Sequence, residues 1–570
     1  MLSRCVLLGG LLAVQLAHGQ AVFDGSRLQL PVVTVGAARY SADLALVDAA
    51  NLVFRLDPAS LATLTGGSAA QPTDPGFADG VLTVPIVRIG NDNYAASLDL
   101  VGTGDFTFKV NPVSVRWLGS RSPAPFKKDS HIVSTSFFHW FAANGGQRSG
   151  PWPPLEGRQN WEGTPAWWQT QIKQVMSANI DVINVHLIPT TEERRITLFQ
   201  GLKALLDAGY DIPNVAPFLD PLITWDGKPK LDLATAAGKK AVADQYVRFY
   251  EQYFQYVNHP DAANQLATID GRPVLTTWHF FVNMNNIDKM SRDDLFRPLR
   301  EAFASRSAIF DKPPYMVTTA LNPPIMGFSD ERVATFEINQ YYHEFTHNAV
   351  TSVQLKPGYW DQNVRTPGSF LPRAGGTHYA QAWNRVHAGV HRVYVESWNE
   401  YDEGTGIYAG SVSGPYIAPG SQNRNTDTWS ATANPFEYIR TTAAGAARFN
   451  DTPALDALVL SHTLPNRIAA GATVDASVMI RNQGDESWTG AAGFRFGQLA
   501  PDPVSFGGGA PVVDTEDEIP LYGGIFRGRP VTFRLKLTAP AAPGRYLVRW
   551  QMSRAGQPFG ETLTTAIEVN

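Results

Sequence analysis

Cysteine is almost missing from this chain: Cys5 is the only one in 570 residues. It lies in MLSRCVLLGGLLAVQLAHGQ, residues 1–20, which has one Arg, an apolar run and then small residues, with Ala17 and Gly19 where a signal peptidase reads them. The segment reads as a secretory signal peptide cut near Gly19. Cys5 precedes the apolar run, which excludes a lipobox. The mature chain then carries no thiol, so disulfides, a cysteine nucleophile and thiolate metal ligation are excluded. No later apolar run is long enough to span a membrane. Charge is also sparse, with 17% charged residues and a formal net charge of −5. There is no basic stretch for nucleic acid and no acidic block for a disordered tail. The expectation is a soluble protein exported to the periplasm or beyond, and the lack of disulfides fits a bacterial source.

Aromatics, by contrast, are plentiful, with 14 Trp and 19 Tyr. Their flat apolar faces with a polar edge suit stacking on sugar rings, although a large core also uses them. The length implies two to four domains. In residues 21–118, LQLPVVTVGAARYSADLALVD aligns with LTVPIVRIGNDNYAASLDLVG. Pro31 matches Pro85, Gly36 matches Gly90, Tyr40 matches Tyr94, Phe54 matches Phe108 and Pro58 matches Pro112, at one constant offset. This predicts an N-terminal all-β domain made by duplication. Residues 453–570 again alternate in short β-type runs around turns such as Asn482–Gly484, which predicts a C-terminal immunoglobulin-like β-sandwich.

Between them, over residues 119–452, short apolar strands alternate with amphipathic helices, the pattern of a parallel α/β sheet. Eight strands start at His131, Asp181, Asn214, Pro273, Tyr315, Thr335, Ser352 and Arg392. Helices fit Pro165–Ala178, Glu192–Ala208, Val242–Val257, Thr377–Val390 and Pro435–Asn450. Eight strand–helix units are the arithmetic of a (β/α)8 TIM barrel, whose active site lies at the C-terminal strand ends. Those ends carry His139 and Trp140, His186, Asp220 with Trp225, Trp278 and His279, Tyr341 and Tyr342, and Trp360. The eighth carries Trp398, Asn399, Glu400, Tyr401 and Glu403. One such residue is usually packing. The trend repeated around the barrel predicts an aromatic-lined cleft for carbohydrate.

Val393–Gly406, VYVESWNEYDEGTG, runs from a strand into a polar turn bearing Glu400 and Glu403. A bare Glu-x-x-Glu is more often a solvated loop or a pair of salt-bridged carboxylates than a site. At the end of a last barrel strand it predicts general acid–base chemistry on a glycosidic bond.

Trp398-Asn399-Glu400-Tyr401-Asp402-Glu403-Gly404-Thr405 resembles the Asn-Glu-x-x-Glu-Gly-Thr segment of family 99 endo-α-mannosidases, and the related segment of family 71 α-1,3-glucanases. Lys356-Pro357-Gly358-Tyr359-Trp360-Asp361, followed by Arg365, is similar to the Pro-Gly-aromatic-Asp turn on the preceding strand of such barrels. The resemblance covers the barrel alone. Where family 99 usually has Trp-His between its glutamates, this chain has Tyr401-Asp402. The resemblance implies that Glu403 is the general acid/base. It also implies that Glu400 deprotonates the substrate's 2-hydroxyl, giving retention through a 1,2-anhydro sugar. Asp402 is expected to point away and cap the turn.

Two other readings compete with a secreted retaining glycoside hydrolase that needs no cofactor and no metal. One is a non-catalytic carbohydrate-binding protein on a degenerate barrel. The other is a metal-dependent hydrolase using His139, His186, Asp220 and His279, which no metal-ligand spacing supports.

Overall fold

The computed structural model describes residues 21–67, 74–89, 92–120, 126–139, 149–155, 162–187, 192–220, 229–278, 284–319, 327–333, 338–421, 427–499, 506, 510–511 and 524–570. Two compact units form: one draws on both ends of the chain, up to Ala124 and from Pro453, and the other spans Pro125–Thr452.

In the first unit, strands Arg27–Val35, Ala38–Asp48 and Val53–Leu56 are followed, 54 residues on, by Val81–Ile89, Asp92–Gly102 and Thr107–Val110. Their ladders close into a β-barrel. The two copies meet where Val53–Leu56 pairs antiparallel with Thr107–Val110, with Phe54 directly opposite Phe108. A pseudo-two-fold axis passes through that pair. Phe23 packs edge-on against Phe54 at 5.5 Å, and Phe77 against Phe108 at 5.8 Å. Ser60 Oγ accepts from the Asp43 N–H at 2.7 Å, and Ser114 Oγ from the Ser97 N–H at 2.8 Å. Equivalent residues therefore meet equivalent surroundings.

The C-terminal part of this unit is a β-sandwich. One sheet comprises Ala457–His462, Thr473–Asn482 and Pro530–Thr538. The other is built on Phe494–Gln498, Gly544–Arg554 and Gln557–Val569. Alternate residues, among them Val478, Phe496, Phe533 and Trp550, point inward to one core. A segment of the N-terminal domain joins it: Gly66–Gly67 adds to the edge of Gly544–Arg554, and Val32 and Leu64 pack on Leu547. Asp74 makes two bonds to Arg549, at 2.7 and 2.8 Å, with both side chains buried.

The second unit is a nearly closed (β/α)8 barrel. Its parallel strands are Ile132–Phe137, Val182–Leu187, Asn214–Leu219, Arg272–Thr277, Tyr315–Thr319, Glu331–Val333, Val350–Leu355 and Arg392–Val395. Strand eight pairs with strands one and seven, and Ser352 Oγ reaches Arg332 O of strand six at 2.7 Å. At the floor, Arg392 of strand eight bonds Glu331 of strand six at 3.1 Å, and the Tyr315 hydroxyl of strand five donates to the same carboxylate at 3.0 Å. Helices Pro165–Ser177, Glu192–Asp207 and Glu437–Phe449 lie where the amphipathic patterns put them; Ala236–Val257 begins six residues before the expected Val242, and Thr377–Asn384 stops six residues short of the expected Val390. A further helix, Arg292–Phe303, is announced by a capping box between Ser291 and Asp294.

Strand six differs from expectation. The parallel strand is Glu331–Val333, upstream of Thr335, and Tyr342–His347 instead runs antiparallel to strand seven. Asn348 and Ala349 have positive φ of 50° and 62°. That is the type I′ geometry that folds two strands into a tight hairpin. No helix among the described residues is long and apolar enough to cross a membrane.

Candidate active site

Strand eight sets the site. Tyr394 packs in the barrel core with Ile132, Val182 and Val317, so the two-residue period turns Glu396 to the same interior side, one layer higher. Lys356, next to it at the end of strand seven, places Nζ 3.7 Å from Glu396, with both side chains buried. Burial raises the Glu396 carboxyl, Lys356 opposes the rise and Glu403 adds to it.

Beyond a cis Glu396–Ser397 peptide the chain forms a closed loop. Ser397 N–H donates to Thr405 O at 3.1 Å, and the two hydroxyls bond at 2.9 Å. Glu400 N–H donates to Ser397 Oγ at 2.6 Å. Asn399 grips strand one, taking the Phe138 N–H at 2.8 Å and donating to Phe138 O at 2.7 Å. Arg373 donates to Gly404 O and Gly406 O at 2.8 and 2.6 Å, its guanidinium enclosed by the rings of Trp152, Trp429 and Tyr438. Gly404 needs its lack of a side chain: φ is +60°, and a Cβ would sit 2.9 Å from Pro151. Asp402 turns aside to accept the Ser149 N–H at 3.0 Å.

This frame holds Glu400 and Glu403 on one rigid turn, both half-buried. Burial pushes the Glu400 carboxyl well above the usual carboxylate range, and the charges of Glu403 and Asp402 push it the same way against Arg365. Glu403 Oε1 pairs with Arg365 Nη2 at 2.8 Å. Arg365 Nη1 bonds Asp361 at 2.7 Å and the Tyr359 hydroxyl at 3.1 Å. Burial, with the charges of Glu403 and Asp361, keeps the Tyr359 hydroxyl protonated. One half-buried group inclined to keep its proton stands beside one paired with a cation. That is the equipment for acid–base chemistry.

The other candidates divide. His186 and Asp220 come together at 3.3 Å, both buried, and burial holds the imidazole below its ordinary range against the pull of Asp220. His139 is also fully buried, at the end of strand one. Trp278 is half-buried against the barrel core. Trp360, Trp398, Asn399 and Tyr401 are buried as well, so they do not line an open cleft as expected. Trp398 Nε1 donates to Gln171 at 3.2 Å and Trp360 packs on Trp152, which makes both of them packing beneath the loop. Tyr341 and Tyr342 do not end the parallel strand six. Tyr341 stacks on His378 and donates to Pro372 O, while Tyr342 donates to Glu344 under the Arg385 guanidinium. Trp140, Trp225 and His279 lie outside the described residues. Sequence reasoning missed Glu396 and Arg373. A charge at an inward-facing position of strand eight was the available sign of the first, and nothing local announced the second.

Compared with known proteins, residues 465–569 match the family model described as an Ig-like domain from next to the BRCA1 gene. No curated protein matches. Among solved structures, the chain is similar to a family 99 endo-α-mannosidase from Bacteroides thetaiotaomicron, at 15% identity over 57% of this chain and 98% of that one, TM-score 0.38. The same enzyme in complex with bis-tris propane gives 14% identity over 56% and 98%, TM-score 0.39. A β-glucuronidase from Parabacteroides merdae gives 7% identity over 85% of this chain and 55% of that one, TM-score 0.27. The C-terminal sandwich is an Ig-like domain.

Proposed function

We propose that this chain is an exported glycoside hydrolase that cleaves an α-linked poly- or oligosaccharide with Glu400 and Glu403. The observation that carries the reading is the pair itself: two glutamates on one braced turn at the C-terminal end of barrel strand eight, in contrasting electrostatic surroundings. Retention rests on the resemblance of the Trp398–Thr405 segment, and export rests on the N-terminal segment. Burial and the neighbouring carboxylates incline Glu400 to keep its proton, while Glu403 is paired with the Arg365 guanidinium. Glu400 then protonates the leaving oxygen, while Glu403 accepts a proton at the sugar. This reverses the order implied by the resemblance.

The test is a panel of α- and β-linked polysaccharides, followed by Glu400→Gln and Glu403→Gln. Both variants should lose about 10²-fold or more on a substrate with a poor leaving group. On an aryl glycoside whose leaving group needs no proton, Glu400→Gln should keep most of its activity and Glu403→Gln should not. The opposite pattern would give the acid role to Glu403. Near-normal turnover in both variants would remove the pair from the chemistry. A wild-type protein that binds a glycan without ever cleaving one would be the carbohydrate-binding alternative.

A further inference from the structure

Charge is unevenly compensated around the two glutamates. Glu396 has Lys356, and Asp402 has the Ser149 N–H. Asp361 and Glu403 share one guanidinium, that of Arg365, at 2.7 and 2.8 Å. Glu400 has no ion-pair partner among the described residues. Arg365 is 54% exposed, so packing does not hold it in place. A clamp does. Its Nη1 meets both Asp361 and the Tyr359 hydroxyl, that hydroxyl donates to Asp361 at 3.0 Å, and the second Asp361 oxygen takes the Ser369 N–H at 2.6 Å.

We propose that Arg365 is a positioning residue for the glutamate pair: clamped by Asp361 and Tyr359, it directs the Glu403 carboxylate through its guanidinium fork and brings a fixed positive charge to bear on Glu400. A guanidinium fork strengthens the hydrogen bond to an ionised carboxylate and fixes its direction. The same positive charge eases the loss of a proton from a second carboxyl close by, against burial and the neighbouring carboxylates. The groups that face the pair are Glu396, Tyr401 and Asp402 on its own segment, Lys356, Tyr359, Asp361 and Arg365 from the end of strand seven, and Tyr408 and Arg373 behind the loop. The charge of Arg365 bears on Glu400 and opposes the rise of its carboxyl.

The inference rests on the hydrolase reading for its purpose, and its test has a readout independent of turnover. In Arg365→Met, the carboxyl of Glu400 should titrate at higher pH by roughly one unit. Carboxyl-¹³C glutamate labelling reads this, with the signal assigned by its loss in Glu400→Gln. The basic limb of the kcat/KM profile should move the same way. Arg365→Lys keeps the charge without the fork and should shift both less. An unmoved Glu400 titration in a folded Arg365→Met protein would overturn the assignment, whatever happened to activity. A shifted titration in a protein that cleaves no glycan would uphold the electrostatic role and leave only the hydrolase reading to fall.

Discussion

Glu400 is held against its own preference. A carboxyl whose folded-state pKa is raised contributes stability that is fully present below its unfolded value, about 4.3. That contribution is lost as pH rises through the folded value. Burial and the neighbouring carboxylates put Glu400 in this class. Glu400→Gln should therefore melt above the wild type at neutral pH, with a gap that narrows toward pH 4 and widens toward pH 8. Differential scanning fluorimetry across that range checks it, and a pH-independent gap would mean that Glu400 is not strained by ionisation. The sequence pointed to Glu400 and Glu403 because they end a strand and share a turn. It could not point to the Lys356–Glu396 pair, because two residues that are both at strand ends become partners only when strand eight lies beside strand seven. Trp360 and Trp398 were misread for a related reason: an aromatic at a strand end can face the cleft or the packing below it, and only the loop's path decides which.

Among the elements, the duplicated strands offer a controlled comparison within one chain. Phe54 and Phe108 face each other across the pseudo-two-fold axis, and each meets one aromatic ring edge-on. Phe54→Ala and Phe108→Ala should each cost about 3–5 kcal/mol, and the two values should agree within about 1 kcal/mol. Urea unfolding monitored by circular dichroism would measure both. A large inequality would mean that the copies have diverged in packing while keeping their register. Helices were legible because their apolar faces recur at helical spacing over many residues. Strand six was not. The alternation after Tyr341 belongs to a hairpin strand, and the Asn348–Ala349 turn that folds it back carries no glycine to announce itself.

At the scale of the molecule, the two ends of the chain share one unit. The Asp74–Arg549 pair is a demanding contact within it, because both side chains are buried. Asp74→Ala should cost about 3–5 kcal/mol by leaving a buried guanidinium without its carboxylate. Asp74→Leu combined with Arg549→Met should recover most of that loss. Thermal unfolding of the full chain would show the transition of this unit falling in the single variant and returning in the double. If the single variant melted like the wild type, the N-terminal domain and the sandwich would be neighbours without energetic coupling. The sandwich and the N-terminal domain thus belong to one unit.

The sequence alone determined the local periods: β-type alternation at both ends, a repeat at a constant offset, strand–helix units between them, and two glutamates at the last strand end. These follow from spacing along the chain, which is what amphipathic burial leaves in a sequence. The tertiary structure decided what depends on distance in space. It brought Arg365 to Glu403, set Lys356 under the loop, enclosed Arg373 among three rings and joined Asp74 to Arg549 across the length of the chain. Charges find their partners only after the strands are placed, and burial then sets how strongly each pair acts.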